Sequence, residues 1–193
     1  MAGVLGYAHA HLIAPWLGLL RPRLLARIDE TGPRTDAPPD APFAVATTLF
    51  STNLMWSTVD LLFSGKLQQF PNLQISLAEG GIGWVPYILE RSDYVWERHR
   101  YYQNIDFDSR PSDLFRKHFW GCFIDDEHGL KNRHDIGIDR IMLEIDFPHS
   151  DSNWPNSRKR AAEVLAGVPD DECSLIVEDN ARRMLNFPRL TSV

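Results

Sequence analysis

"RIMLEIDFPHSDSNWPNS", residues 140–157, decides how the fold is interpreted, because an apolar run changes there into a polar loop. Asp146, His149 and Asp151 follow the apolar residues closely, and Pro148 lies among them. Surface loops collect charge, so one interpretation is a solvated turn. The other is a buried strand that delivers metal-binding or acid–base groups to one end of a sheet. The rest of the chain is needed to choose between them.

The composition predicts a folded domain that does not bind nucleic acid. The chain has 193 residues, of which 44% are hydrophobic and 24% are charged, as in globular proteins with a substantial core. The formal net charge is −6, and basic residues form no stripe with interleaved aromatic residues. Nucleic acid is therefore not an expected partner. Cys122 and Cys173 form neither a disulfide framework nor a CxxC pair, which favours a reducing compartment.

No segment of the sequence predicts membrane insertion. No apolar run has the length and purity of a transmembrane helix. The N-terminal stretch "HLIAPWLGLL", residues 11–20, lacks the basic start and the cleavage pattern of a signal peptide. We therefore expect no membrane partner and a cytoplasmic location.

Strand and helix patterns alternate along the chain from Phe43 onward. Three short apolar runs, around residues 73–77, 119–124 and 140–146, have the length of buried strands. Amphipathic helical patterns separate these runs, and two further helical patterns follow the last one. This alternation is typical of a parallel α/β fold.

Each of the three predicted strands ends in an acidic residue. Glu79 follows the first run, Asp125 and Asp126 follow the second, and Asp146 ends the third with His149 close behind. Functional groups of parallel α/β folds lie where strands end and loops begin. The repeated acids therefore favour a metal site over a solvated turn.

Residues 1–42 differ in texture from the rest of the chain, being rich in Pro, Arg and Ala. Residues 15–28 are compatible with a helix interrupted at Pro22, and residues 29–42 resemble an extended linker. We predict an atypical, poorly ordered segment over 1–42, and we assign the predicted strands and helices to residues 43–193.

Two stretches of residues 43–193 resemble a known family. They are "FPNLQISLAEGGIGWVPYILERSDYVWER", residues 70–98, and "IMLEIDFPHSDSNWPNS", residues 141–157, and "VEDNARRMLNF", residues 177–187, adds to them. Together they are similar to the amidohydrolase-related family, the branch of the amidohydrolase superfamily that includes aminocarboxymuconate-semialdehyde decarboxylase. The resemblance implies that residues 43–193 are the C-terminal part of a (β/α)8 TIM barrel of the metal-dependent hydrolase type, about its sixth to eighth strands with their helices.

The resemblance also implies a function and a site. Members are hydrolases or non-oxidative carboxy-lyases that act on small organic compounds with a divalent metal, often Zn²⁺. Asp146 then corresponds to the eighth-strand aspartate, which is a metal ligand and moves a proton. A carboxylate suits both tasks, because it is a hard anionic ligand that can also accept a proton.

Glu79 and His149 are the other candidate catalytic residues, each with an alternative. Glu79 stands where characterised decarboxylases often have a histidine before paired glycines, so the resemblance implies an acid–base or hydrogen-bonding role. Its alternative is a buried, salt-bridged glutamate. His149 either lines the substrate pocket and supports Asp146, or is an ordinary surface histidine.

The ligand set implied by the resemblance is incomplete in this sequence. The family's fifth-strand histidine is absent from "LLARIDETGPRTD", residues 24–36. His9 and His11 imitate the family's first-strand HxH pair, but too few residues separate them from the predicted sixth strand. A non-catalytic barrel fragment that associates with itself or with another chain, possible as a homo-oligomer, is therefore the alternative function.

A nucleotide site is the third hypothesis. "EGGIGW", residues 79–84, follows a predicted strand and opens a helix, where a phosphate loop would lie. The stretch does not continue as GxGxxG, because Pro86 occupies the last glycine position of that pattern. The sequence therefore favours the metal site.

Overall fold

A parallel sheet organises the structure. A computed structural model describes residues 25–29, 40–105 and 108–188. Within them, four strands form one sheet in the order β1–β2–β3–β4, and every neighbouring pair is parallel. The strands are β1 (Leu25–Asp29), β2 (Gln74–Ala78), β3 (Phe119–Phe123) and β4 (Ile141–Leu143). The parallel α/β arrangement predicted from the alternating patterns is confirmed.

Helices fill the connections between the strands and follow the last strand. They are α1 (Phe43–Phe63), α2 (Lys66–Gln69), α3 (Val85–His99), α4 (Pro111–His118), α5 (Glu127–Lys131), α6 (Arg133–Ile136), α7 (Ser157–Val164), α8 (Asp170–Ser174) and α9 (Asn180–Leu185). A π-helical turn, Leu175–Asp179, joins α8 to α9. None of the helices in the described ranges combines the length and apolar character needed to cross a membrane.

Strand β1 is a correction to the sequence-based prediction of a helix over residues 15–28. Leu25–Asp29 instead pairs with β2, with Ile28 opposite Leu77. Leu, Ala and Arg favour helices, but pairing with a neighbouring strand overrides such weak local preferences. Residues 1–24 and 30–39, which include His9 and His11, lie outside the described residues.

The sheet buries apolar side chains on both of its faces. Alternate residues of a strand point to opposite faces. Phe119 and Phe123 of β3 therefore belong to the main core, where Phe119 stacks on Phe115 of α4 with ring centroids 5.1 Å apart. Trp120 and Cys122 belong to a second cluster, which also contains Met142 and Met184. Burial on both faces explains why β3 reads as a nearly continuous apolar run.

The carboxyl ends of the strands are followed by acidic residues that are candidates for a functional site. Glu79 follows β2 directly, Asp125 and Asp126 follow β3, and Glu144 and Asp146 follow β4. Because the strands are parallel, these residues lie along one edge of the sheet.

Candidate metal site

Three side chains with metal-ligating groups meet beyond the carboxyl ends of β2 and β4. Glu79, Asp146 and His149 each offer one ligand atom, and these atoms all lie within 4.8 Å of one another. The side chain of Asp146 is 10% exposed, whereas that of His149 is 64% exposed. The cluster therefore opens to solvent beside His149 and shelters the carboxylate of Asp146.

Asp146 and His149 form the tightest contact within the cluster. Nδ1 of His149 lies 3.0 Å from Oδ1 of Asp146. The backbone N–H of His149 also donates to the carbonyl oxygen of Asp146 at 2.9 Å, which closes the turn between them. This turn holds the imidazole against the carboxylate, an arrangement that fixes the orientation of the ring.

The backbone is unusual at two of the three residues. Glu79 has φ = 67° and Asp146 has φ = 47°, the left-handed region that residues with a side chain seldom adopt. Such conformations cost about 1–3 kcal/mol each and persist only where the surroundings impose them. They are concentrated at functional sites. The described residues include two other non-glycine positions with positive φ, Asn104 and Asn186, and asparagine is a residue type that tolerates this region.

Glu144 is a member of the surroundings that sequence reasoning did not single out. Its Oε1 accepts a hydrogen bond of 2.6 Å from the backbone N–H of Glu79. The alternation of side chains along a strand could have identified it, because Glu144 lies two positions beyond the buried Met142 of β4 and so on the same face of the sheet. A carboxylate that follows β4 thus fixes the backbone at the end of β2, across the intervening strand β3.

Asp126 binds the glycine-containing loop between β2 and α3. Its Oδ2 accepts hydrogen bonds from the backbone N–H groups of Ile82 and Gly83, each at 2.7 Å. Its Oδ1 accepts a third, also at 2.7 Å, from Gly129 of α5. A phosphate loop would use such N–H groups to bind its ligand. Because a carboxylate already occupies two of them, the loop does not support nucleotide binding.

Among the side chains that the structure describes, the other acids near the strand ends do not join the cluster. Asp125 pairs with Nε of Arg160 in α7, with its Oδ2 at 2.6 Å. Asp151 is exposed and is not part of the group of metal-ligating atoms. Of the acids that follow the strands, the structure therefore brings Glu79 and Asp146 together with His149.

The loop between β4 and α7, which carries His149, is held by its own contacts. The hydroxyl of Ser152 donates to the carbonyl oxygen of Ile145 at 2.5 Å and accepts from the backbone N–H of Trp154 at 3.2 Å. The ring of Trp154 meets that of Phe147 edge to face, with centroids 5.3 Å apart. These contacts give the turn around Asp146 and His149 a defined shape.

Comparison with known protein families assigns the chain. A sequence profile described as Amidohydrolase matches residues 37–187, which include the whole candidate metal site. The chain belongs to this amidohydrolase family. The family resemblance inferred from residues 70–98, 141–157 and 177–187 is confirmed. No curated protein matches the sequence.

Solved structures share the fold of this amidohydrolase chain. The 5-carboxyvanillate decarboxylase of Sphingomonas paucimobilis has a TM-score of 0.64 at 22% identity, covering 84% of this chain and 49% of the other. The 2,6-dihydroxybenzoate decarboxylase of Rhizobium has a TM-score of 0.64 at 20% identity, covering 85% of this chain and 51% of the other. A dihydroxybenzoic acid decarboxylase of Polaromonas sp. JS666 was solved with manganese and 2-nitroresorcinol. It has a TM-score of 0.62 at 16% identity, covering 85% of this chain and 50% of the other.

The TM-scores of 0.62–0.64 confirm the predicted fold class, and the coverage values show that the chain matches only part of each barrel. The amidohydrolase chain spans about half the length of these solved structures. Its sheet and helices therefore correspond to part of a (β/α)8 barrel.

Proposed function

We propose that this chain forms part of a divalent-metal-dependent enzyme, either a hydrolase or a non-oxidative carboxy-lyase acting on a small organic acid or related compound. The observation that carries the proposal is the meeting of Glu79, Asp146 and His149 within 4.8 Å. The cluster lies at the carboxyl ends of parallel strands, where enzymes of this architecture carry their active sites.

The donor set fits a divalent ion. Carboxylate oxygen and imidazole nitrogen are ligands that Zn²⁺ and Mn²⁺ both accept. Ligand atoms about 2 Å from one ion are separated by roughly 3 Å when adjacent and about 4 Å when opposite. The 3.0 Å contact between Asp146 and His149 matches the first value. The limit of 4.8 Å for the full group exceeds the second value by less than about 1 Å, so the three side chains would have to move closer together to share one ion.

In the proposed mechanism Asp146 has two tasks. As a sheltered carboxylate, it would hold the ion and would accept or return a proton during the reaction. His149 would orient the carboxylate through Nδ1 or supply a further ligand. Glu79 would contribute its carboxylate to the ligands of the ion and would also act on the substrate as an acid, a base or a hydrogen-bond acceptor. When bound, the metal would polarise a substrate oxygen as a Lewis acid.

Substrate and metal identity are the finer parts of the proposal. The similar solved proteins are decarboxylases of 5-carboxyvanillate and of dihydroxybenzoates, and one of them was solved with manganese. They support an acid as substrate. We expect Zn²⁺ from the family resemblance, and Mn²⁺ is the alternative that should be compared with it.

Turnover tests the proposed activity. The purified chain is incubated with a panel of hydroxybenzoic acids and amides or esters, after chelation and after addition of Zn²⁺ or Mn²⁺. We expect turnover only with metal present and its loss in Asp146→Asn and Glu79→Gln, while Asp151→Asn retains it. Turnover that survives chelation and the Asp146 substitution would refute the proposal.

The second candidate is a non-catalytic part of a barrel that associates with a second copy or with another chain. It is favoured by one observation, the coverage of about half of each solved barrel. Sedimentation velocity over a range of concentrations tests it. Concentration-dependent association without metal-dependent turnover supports this candidate, and a monomer with turnover excludes it.

We also propose a cytoplasmic location without nucleic acid or membrane partners. The formal net charge of −6 and the absence of a cysteine framework from the sequence support this proposal. Fractionation of cells that express the tagged chain tests it, and recovery with membranes or nucleic acid would contradict it.

A further inference from the structure

We propose that Asp126 is a positioning residue for the candidate metal site, acting on Glu79 through the loop that joins β2 to α3. The inference rests on the proposed function, because it concerns the same site. Asp126 itself does not contribute to the group of metal-ligating atoms.

Asp126 joins two loops through backbone hydrogen bonds. Its two oxygens accept three backbone hydrogen bonds of 2.7 Å, from Ile82, Gly83 and Gly129. Hydrogen bonds to an ionised acceptor are roughly twice as strong as neutral ones. These bonds join the loop after β2 to the loop after β3, which are 43 and 44 residues apart in sequence at the two bonded positions.

Glycines leave space for the carboxylate of Asp126. A Cβ atom added at Gly81 or Gly83 would lie 3.0 Å from an oxygen of Asp126, and one at Gly129 would lie 3.0 Å from its Cγ. Contacts this close are seldom tolerated without a shift of the neighbouring atoms. The glycines in "EGGIG" and in "EHGL" thus admit the carboxylate into the position where it bonds three N–H groups.

Trp84 connects this loop to Glu79. The indole N–H of Trp84 is 3.1 Å from the carbonyl oxygens of both Gly80 and Gly81, which fixes the two residues between Glu79 and the N–H groups held by Asp126. On the other side, the N–H of Glu79 is held by Glu144. The left-handed backbone of Glu79 is therefore fixed from both directions.

The consequence concerns metal affinity. Residues that orient the ligands of a metal, without binding it, commonly contribute 10- to 100-fold to affinity or activity. An amide at position 126 offers a single acceptor oxygen and cannot satisfy all three N–H groups. Asp126→Asn should therefore loosen the loop and misplace the carboxylate of Glu79.

The experiment measures the affinity of the full chain for Mn²⁺ by calorimetry, in wild type, Asp126→Asn and a matched control. The control is Asp125→Asn, which removes the neighbouring carboxylate and its contact with Arg160 but none of the loop bonds. We expect about 10- to 100-fold weaker binding for Asp126→Asn and unchanged binding for Asp125→Asn. We also expect an altered visible spectrum of bound Co²⁺ in Asp126→Asn, since that spectrum depends on ligand geometry.

A double-mutant cycle separates positioning from general loss of structure. If Asp126 acts through Glu79, then Asp126→Asn should not weaken Mn²⁺ binding further in a Glu79→Gln background. Additive losses, or wild-type affinity with an unchanged Co²⁺ spectrum in Asp126→Asn, would overturn the inference. Where Asp126→Asn does not fold, Gly83→Ala crowds the same carboxylate without removing charge and is held to the same criteria.

The outcomes distinguish this inference from the proposed function. If the wild type does not bind Mn²⁺ or Zn²⁺, or if Glu79→Gln leaves affinity unchanged, the role of Glu79 in the proposed site is wrong and the positioning role is overturned with it. If Glu79→Gln weakens binding but Asp126→Asn does not, only the positioning role is wrong.

Discussion

Asp126 and Asp146 occupy comparable places, each in the first loop after a parallel strand, but their surroundings differ. The carboxylate of Asp126 accepts three backbone hydrogen bonds of 2.7 Å and joins two loops. The carboxylate of Asp146 faces the side chains of His149 and Glu79 from a left-handed backbone. An acid at a strand end can therefore hold the backbone together or face a ligand, and its partners decide which.

The largest effect on folding stability should come from removing the carboxylate that joins the loops. Asp126→Ala leaves three N–H groups without their acceptor, and we expect it to lower the free energy of unfolding by about 3 kcal/mol. Urea denaturation monitored by circular dichroism measures the change.

Asp125→Ala is the matched substitution for this prediction. Asp125 and Arg160 are 37% and 36% exposed, so their ion pair is well solvated, and its loss should lower the free energy of unfolding much less than Asp126→Ala does. Equal losses of stability for Asp125→Ala and Asp126→Ala would mean that the backbone hydrogen bonds of Asp126 do not stabilise the fold more than the exposed ion pair of Asp125 does.

A smaller effect of opposite sign is expected at Asp146. Glycine adopts φ = 47° without the penalty that a side chain incurs, so Asp146→Gly should raise the free energy of unfolding by about 1 kcal/mol in the presence of a chelator. Asp151→Gly, in the same loop, should instead destabilise slightly, because glycine adds freedom to the unfolded chain. Destabilisation by Asp146→Gly would show that the residue stabilises the fold instead of being strained.

The smallest effect on stability concerns His118, the last residue of α4, which directly precedes β3. Asp126 lies beyond the other end of that strand. Burial lowers the pKa of His118, nearby Lys117 and Arg140 lower it further, and a hydrogen bond between its Nδ1 and the carbonyl oxygen of Leu73 opposes them. The unfolded chain takes up this proton near pH 6.5, whereas the folded chain does so only at lower pH. Stability should therefore fall as the pH drops through about 6.5 and be independent of this group above it.

His118→Asn tests this pH dependence, because asparagine can still donate to the Leu73 carbonyl but does not titrate. Denaturation of both proteins at pH 7.5 and 5.5 gives the comparison. We expect a smaller loss of stability on acidification in the variant. An identical loss would show that other groups account for it.

The sequence predicts the framework better than it predicts these differences. Strands β2, β3 and β4 follow from short apolar runs between helical patterns, and Glu79, Asp146 and His149 follow from the acids at strand ends and from the family resemblance. Short apolar runs are a local feature of the sequence, and they identify these strands because both faces of the sheet are buried.

What the sequence does not predict depends on distant partners. The residues of strand β1 favour a helix by their local propensity, and only pairing with the distant strand β2 makes them extended. The roles of Asp126 and Glu144 depend on N–H groups 43 to 65 residues away along the chain. Local patterns carry no information about such contacts.

Metal binding at Asp146 is the most direct test of the central claim. Zn²⁺ and Mn²⁺ binding to the metal-free chain is measured by calorimetry for wild type, Asp146→Ala and the control Asp151→Ala. We expect one bound ion in wild type and control, and at least about 100-fold weaker binding in Asp146→Ala. Binding that is weak in all three, or equally strong in all three, would contradict the assignment of Asp146 as the ligand of a divalent metal.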